Sequence, residues 1–534
     1  MRTPVADAVN HAGGVAYEHS SVHTLSQLAF TGCFNGTFYV QAPKMLASAK
    51  KLAMEVSPEW LAKIAIAGHE HGFMKDAPAF LLAVLANRDA KLFAKAFHRV
   101  VDNCKMLRTY SQIAISGAAG RCVNLSSGVH RRMYQQFFDR QSAISIFNGA
   151  VGDKPSLVNV MRMARVKPNT KEKESLFTFL FNKEFGWKHT KGTSFGSTFE
   201  DLPEIVQQYE MFKVCRDEVA VPAVDFRYLD SLGLTSEHWA EVFRNAGFYF
   251  TFKNLATAAR QGVFNIDGMS EVIAAKLRDR ESIRKSKAFP YQIQQSYLVN
   301  KANLPYAVYD ALLDAMDISL ENVPPLGKCL VAVDVSLSMN SPITGNQDAR
   351  LAQSGVSYRS VSSKSRCVDV AALIGCSILR SNPDAVLVPF NNACIDIHLN
   401  PRDTVATNSE KLSALCRGGT NCSAPLAQAE QRGDTFDTFV LISDNESWVD
   451  TNNRWSPSNG TKLHDSWQRA KKRLPHARMI NIDLTPNETT QVKERQDILQ
   501  VGGFSDNCYR VMENFCRGGN SSDFWVKELD KINL

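Results

Sequence analysis

The run Lys328-Cys-Leu-Val-Ala-Val-Asp334-Val-Ser336-Leu-Ser338-Met339 most constrains what this chain can fold into. Its apolar residues from Cys329 to Val333 are unbroken, include two β-branched valines and are followed by polar turn formers. That pattern predicts a strand buried on both faces, as in parallel sheets covered by helices. In open α/β sheets, ligands gather at the carboxyl ends of the strands. Here that end offers one carboxylate and two hydroxyls at alternate positions. Mg²⁺ takes few carboxylates and keeps several waters, so the string reads as a DxSxS divalent-cation site with Mg²⁺ as the expected cofactor. Taken alone, a buried strand followed by Asp and Ser is also an ordinary turn. The metal reading therefore depends on further donors downstream.

Those donors lie in a segment that alternates strands and helices. The periodicity predicts a helix at 368–379, strands at 385–390, 438–442 and 477–482, and helices at 409–415, after Ser423, at 463–472 and at 524–532. Such alternation implies a doubly wound, mostly parallel sheet. Gly418-Gly419-Thr420-Asn421 precedes one helix, and its glycines allow the backbone to bring the Thr420 hydroxyl close to a ligand. Phe439-Val-Leu-Ile442-Ser-Asp444-Asn-Glu446 is a second buried strand ending in an acid. Asp334, Ser336, Ser338, Thr420 and Asp444 are thus the candidate ligands. DxSxS after the first strand, a later GGT and a strand ending in SDNE resemble the metal-ion-dependent adhesion site of von Willebrand factor A domains. The resemblance implies that Ser336 and Ser338 bind through hydroxyls, that Asp334 and Asp444 bind directly or through water, and that Thr420 joins in some conformations. It also implies a coordination position left for an acidic group of a partner.

The 534 residues are too many for one core and imply at least two domains. Before the boundary at Pro324-Pro325-Leu-Gly327, read as a linker, the chain reads as helical. Apolar residues recur three and four apart in 47–54, 58–68, 78–85 and 90–101, and again in two helices across 235–262 and one at 305–316. Only Gly32 to Gln41 looks strand-like or turn-rich before the helices begin. Consecutive helices with short connections suggest stacked helix pairs rather than one bundle.

Charge divides unevenly between the two parts. The formal net charge is +7, and all of it falls in residues 1–324, where 38 Lys and Arg stand against 31 Asp and Glu. Residues 101–200 alone carry 15 basic and 7 acidic side chains. This middle contains Arg121, then His130-Arg131-Arg132, then Arg162, Arg165 and Lys167. On a helix, Arg162 and Arg165 would share a face, with Val158, Met161 and Val166 turned to the core. Helix ends set side by side would align these groups along a phosphate backbone. The nearby Tyr134, Phe137 and Phe138 fall on one helix face and read as core. His69-Glu70-His71 places two imidazoles off-face, against a metal pair. A basic loop at 186–192 and a Ser-rich stretch at 341–366 with four basic residues read as connections.

Several classes are excluded or disfavoured. No run of about 18 apolar residues offers a membrane span, and the N-terminus lacks the apolar segment of a signal peptide. Twelve cysteines without a CxxC pair form neither a zinc pattern nor a small-scaffold disulfide framework, so reduced thiols and a cytoplasmic location are expected.

The order of segments narrows the reading. Asn35-Gly-Thr-Phe-Tyr-Val40, Arg162-Met-Ala-Arg-Val-Lys-Pro168, Arg244-Asn-Ala-Gly247, Gly418-Gly-Thr-Asn-Cys-Ser-Ala-Pro-Leu426 and Ser443-Asp-Asn-Glu-Ser-Trp448 resemble segments of the Ro autoantigen family, of the bacterial type. The resemblance implies a multidomain fold: an all-α, HEAT-like helical-repeat ring, the TROVE domain, at 15–324, followed by an α/β doubly wound von Willebrand factor A domain at 325–534. It implies a monomeric, non-catalytic protein that binds small noncoding Y-type RNA on the ring's outside and single-stranded 3′ ends of misfolded RNA in a basic hole. A role in RNA quality control, or in tethering RNA for an exoribonuclease docked at the A domain, follows from it. Arg165 stands where the family pattern leads one to expect His. Two other readings compete. One is a metal-dependent protein-adhesion module on a helical scaffold without an RNA role. The other is a Mg²⁺-dependent phosphohydrolase with Asp334 as nucleophile, against which stands Ser336 where a second acid is wanted.

Overall fold

Helix after helix in the first part begins in the same way. Ser57, Asp89, Asn103, Ser142, Ser156 and Thr170 each stand just before a helix and accept, through the side chain, a backbone N–H two or three residues on. These bonds satisfy donors that a helix start leaves without partners. In the computed structural model the helices are Ala42–Glu55, Pro58–Glu70, Asp76–Arg88 and Ala90–Val100, each close to the stretch its periodicity predicts. The structure describes all residues except 1–2, 32–41, 153, 187–198, 287, 289, 301–302, 321–322, 324, 344–364, 450–459, 494, 504–508, 510–511, 514 and 517–528. The strand-like stretch at 32–41, nearly all of the basic loop at 186–192, most of the segment at 341–366 and most of the helix expected at 524–532 lie outside the described residues.

From Ser21 to Phe185 each helix packs on the one before the last, and some also on their sequence neighbours, which is the contact pattern of stacked helix pairs. The 235–262 region differs from expectation. It holds three helices, Ser236–Asn245, Phe248–Lys253 and Leu255–Arg260, because Gly247 is extended and Asn254 ends one helix while starting the next.

Two short strands, β1 (Ala8–Val9) and β2 (Val15–Glu18), precede the first helix, Ser21–Thr31. The A-domain segment contributes β3 (Cys329–Asp334), β4 (Val386–Phe390), β5 (Thr438–Ser443), β6 (Arg478–Asp483), β7 (Thr489–Thr490) and β8 (Ile498–Gly502). Five of them form one sheet in the order β4-β3-β5-β6-β8, and every neighbouring pair is parallel. All six residues of β3 and of β5 are buried. Because β4 lies on one side of β3 and the later strands on the other, winding reverses beside β3, where ligands of such sheets collect. The remaining strands form an antiparallel sheet β1-β2-β7, so the first residues of the chain are paired with its last hundred. The strands β1, β2 and β7, of two to four residues, are too short to leave a period, and β8 carries Gln500 at its centre; none of the four is legible in the sequence.

The helical path begins and ends against the A domain. Its first helix lies on β8, with Gln27 against Gly502, and helices Pro290–Asn300 and Tyr306–Ser319 pack on Cys367–Ser381 and Val405–Ser413. Lys63 meets Asp530 at 3.2 Å and Arg99 donates to the Asn533 carbonyl at 2.7 Å. The connection read as a linker is held down as well. Leu326 is buried, its N–H donates to Asn382 Oδ1 and its carbonyl accepts from the Thr438 hydroxyl.

Helix Cys367–Ser381 approaches the sheet through Gly375, where a Cβ would stand 2.6 Å from Val333 Cγ2. Gly375→Ala should therefore strain the packing on β3 and lower stability by about 1–3 kcal/mol. A urea midpoint unchanged from wild type would show that the helix can shift away without cost.

Candidate functional site

The carboxyl ends of β3 and β5 are joined by one hydrogen bond. The Ser443 hydroxyl donates to Asp334 Oδ2 at 2.6 Å, and the Ser336 N–H donates to Asp334 Oδ1 at 2.8 Å. A short turn of helix, Leu337–Asn340, brings the Ser338 hydroxyl within 3.1 Å of that of Ser336. The loop carrying Thr420 is pinned beside them, since Arg417 donates to the Val335 carbonyl and Leu337 to the Gly418 carbonyl. Both glycines are needed there. Gly418 has φ +80°, and a Cβ on Gly419 would stand 2.7 Å from Trp448 and Val449. After β5, Asn445 at φ 64° turns the chain, and Glu446 N–H reaches Asp444 Oδ1 at 3.3 Å. The segment is braced by the chain's far end: Asn10 Nδ2 donates to the Ser447 carbonyl at 2.7 Å and Ala12 N–H to Glu446 at 3.1 Å.

Asp334, Ser336, Ser338, Thr420 and Asp444 are all buried. Burial pushes the Asp334 carboxyl above the usual carboxylate range, against the opposing bonds from Ser443 and Ser336. Asp444 is pushed up by burial, then by the charge of Asp334 and of Glu446, against a bond from Ser338. Neither carboxylate has a basic partner among the described residues. The Thr420 hydroxyl is buried and has no hydrogen-bond partner among them. Two neighbouring acids, two serine hydroxyls and an orphaned threonine hydroxyl form an all-oxygen donor set that fits a hard divalent cation. The thiol of Cys416 is pushed up to about 11, mainly by burial, and lies 3.0 Å from the Ser336 carbonyl, so it packs as a neutral group. Among the described residues no three His, Cys, Asp or Glu side chains are placed to share an ion.

The basic residues singled out in the sequence separate into two kinds. Arg121, Arg131, Arg132, Arg162, Arg165 and Lys167 are exposed. Gln135, one turn beyond Arg131 on helix Gly128–Arg140, donates to the Lys167 carbonyl at 2.8 Å and accepts from its N–H at 2.9 Å. That bond pair sets the two segments edge to edge. Arg162 lies over the Phe185 ring at 4.7 Å. Arg165 does not continue the helix face of Arg162 as expected; the helix is Leu157–Ala164 and Arg165 caps it in the left-handed region at φ 55°. His130 departs from the set. Its ring bonds the Tyr110 hydroxyl at 2.9 Å, lies against Phe93 and is pushed down to about 4 by burial, so it is a core residue. Tyr134, Phe137 and Phe138 are buried.

A second basic group has no counterpart in the sequence reading. Lys75, Lys105, Arg108, Arg227 and Lys253 come from four places in the chain, Lys105 and Arg108 sharing the helix Cys104–Ser116. The Lys105 amine is held below its ordinary value first by the charge of Lys75, then by burial and Arg227. Lys253 is lowered by burial and by the same Lys75. A Cβ on Gly152 would stand 2.5 Å from Arg227 and 2.9 Å from Arg108, so the two guanidinium groups meet there. Although burial raises it, the Asp225 carboxyl stays below its usual range through bonds from Arg227 and the charge of Arg108. Apart from Lys105 and Arg108, one helical turn apart, these residues are distant in sequence, and only the fold assembles them.

Comparison with known proteins agrees with this architecture. A family model described as the Ro60 vWA domain matches residues 328–516. RNA-binding protein RO60 of Deinococcus radiodurans is 23% identical over an alignment of 550 residues that covers 95% of each chain. RNA-binding protein RO60 of Caenorhabditis elegans is 23% identical over 209 residues, 37% of this chain and 30% of that one. In structure, the crystal structure of the D. radiodurans RO (RSR) protein superposes with a TM-score of 0.59 at 19% identity, covering 93% of this chain and all of the other. No helix among the described residues is long and apolar enough to cross a membrane.

The raised carboxyls make a pH prediction. The folded state holds more protons on Asp334 and Asp444 than the unfolded state does, so their contribution to stability falls as pH rises above the ordinary carboxylate range. In chelator, Asp444→Asn should melt above wild type at pH 8, with the gap closing as pH is lowered toward 4. Equal melting temperatures at both pH values would show that the two carboxyls do not repel.

Proposed function

We propose that this chain, which matches the Ro60 vWA model over residues 328–516 and is similar to an RNA-binding protein RO60 along nearly its whole length, is a non-catalytic RNA-binding protein. The observation that carries the reading is the convergence of Lys75, Lys105, Arg108, Arg227 and Lys253. Like charges that depress one another's proton affinity cost stability, and a phosphate backbone relieves that cost while releasing its counterions. A single strand suits this cluster. The exposed face of Arg121, Arg131, Arg132, Arg162, Arg165 and Lys167, with two segments tied by Gln135, suits a structured noncoding RNA of the Y type. The two surfaces together fit capture of misfolded RNA by its 3′ end, in RNA quality control or in presentation to an exoribonuclease.

The A domain supplies the protein-facing side of this reading. Asp334, Ser336, Ser338, Thr420 and Asp444 would hold Mg²⁺, which supplies a Lewis-acidic position for a partner's carboxylate. Asp334 makes a poor nucleophile: it is buried, and both its oxygens already accept hydrogen bonds. That arrangement and Ser336 favour docking over phosphoryl transfer.

Two measurements test the proposal. For single-stranded RNA, log affinity should fall with log salt at a slope of about −0.7 per phosphate contacted. Replacing Lys75, Lys105, Arg227 and Lys253 by Gln should weaken binding and flatten the slope by about 2 to 3. Replacing Arg131, Arg132, Arg162, Arg165 and Lys167 by Ala should instead weaken binding of structured RNA. Unchanged affinity in both variants would overturn the RNA reading. Millimolar Mg²⁺ should raise the melting temperature of wild type and leave that of Asp444→Asn unmoved.

A further inference from the structure

A cavity of about 310 Å³ opens between the 221–229 segment and the helices Ser236–Asn245 and Phe248–Lys253. Its walls are apolar and aromatic, with Val224, Phe226, Val242 and Phe250, and two polar side chains, Asp225 and Asn245, stand at it. Phe226 and Phe250 meet edge to face at 5.1 Å and 66°, and both are half-buried, so neither closes the space. An edge-to-face pair leaves ring faces on which a flat group can stack. The volume lies at the small end for ligand pockets, suited to one ring system.

The cavity adjoins the basic cluster through Asp225, which binds Arg227 through both carboxylate oxygens at 2.8 Å, and Arg227 meets Arg108 at Gly152. Lys253 lies one helical turn beyond Phe250. Cations of the cluster therefore stand next to the apolar slot without lining it. A nucleotide matches that layout: apolar faces, a polar edge of donors and acceptors, and a phosphate on either side. Asp225 Oδ1 accepts from both the backbone N–H and Nε of Arg227, while Oδ2 accepts from Arg227 Nη2 and keeps a lone pair for an N–H on the base edge; Asn245 can donate or accept.

We propose that this cavity takes one nucleobase of single-stranded RNA, stacked against Phe226 and Phe250, while Arg227, Arg108 and Lys253 hold the phosphates that flank it. The inference rests on the RNA-binding reading and adds to it a contact with a base, where the cluster alone touches only phosphate. Every base offers an N–H that Asp225 can accept, so the site selects a base over a bare ribose-phosphate rather than one base over another.

The test compares a short oligouridylate with an abasic ribose-phosphate oligomer of the same length, on wild type and on Ala223→Phe and Ala246→Phe, which fill the cavity without removing a cation. Wild type should bind the oligouridylate about tenfold tighter than the abasic oligomer, as expected for one stacked base. The filled variants should lose that preference while keeping abasic affinity and the salt slope. The comparison on wild type requires no variant to fold. If wild type binds both oligomers equally and with a steep salt slope, the base pocket is wrong and the RNA reading stands. If it binds neither at low salt, the RNA reading itself fails. If the filled variants keep the preference for oligouridylate, the base sits elsewhere and the assignment of this cavity is overturned.

Discussion

Parallel pairing of β3 with β5, both buried on both faces, is the constraint from which the rest of the A domain follows. Parallel neighbours cannot be joined by a tight turn, so each connection must cross a face of the sheet, and helices supply the crossover. Crossovers return every strand to the same edge. The carboxyl ends of β3 and β5 therefore lie side by side, and the Ser443 to Asp334 bond closes the gap between them. Acids brought together in this way repel. The protein tolerates the arrangement because serine and backbone donors surround it, and because a cation can complete it.

The same domain organises the helices. Stacked helix pairs bury one another but leave the first and last pair with an uncovered face. Here the first helix is covered by β8 and the last helices by Cys367–Ser381 and Val405–Ser413. The chain's first strands go further: β2 pairs with β7, and Asn10 and Ala12 bond the segment that carries Asp444. The amino terminus thus braces the loop that carries Asp444.

Legibility in the sequence followed the range of the forces involved. β3 and β5 were readable because burial on both faces leaves an unbroken apolar run, and the oxygen donors were readable because they end such runs. Helix starts were readable from local caps. What required the fold was everything set by distant partners. His130 looks basic in the string and is a core residue in the structure, because Tyr110 and Phe93 come from other helices. Arg165 looks helical and is a left-handed cap, since the helix ends at Ala164. β1 and β2 pair with each other, and β2 takes its second neighbour, β7, from a distant part of the chain. Lys75, the pair Lys105 and Arg108, Arg227 and Lys253 are scattered over nearly 180 positions and no composition window gathers them.

That last group and the metal loop share a physical logic. Each brings like charges closer than stability alone favours, acids in the A domain and bases among the helices. In each, proton affinity shifts toward the neutral form: upward for Asp334 and Asp444, downward for Lys105 and Lys253. Local rules that are broken without an internal remedy mark places where something external completes the structure. The two conflicts differ in what resolves them. Buried oxygens around a hydroxyl without a partner are a donor set that suits a small hard cation, whereas amines and guanidinium groups beside an aromatic cavity suit a polyanion with flat side groups. The two conflicts are of opposite charge, so the groups that would resolve them are chemically distinct.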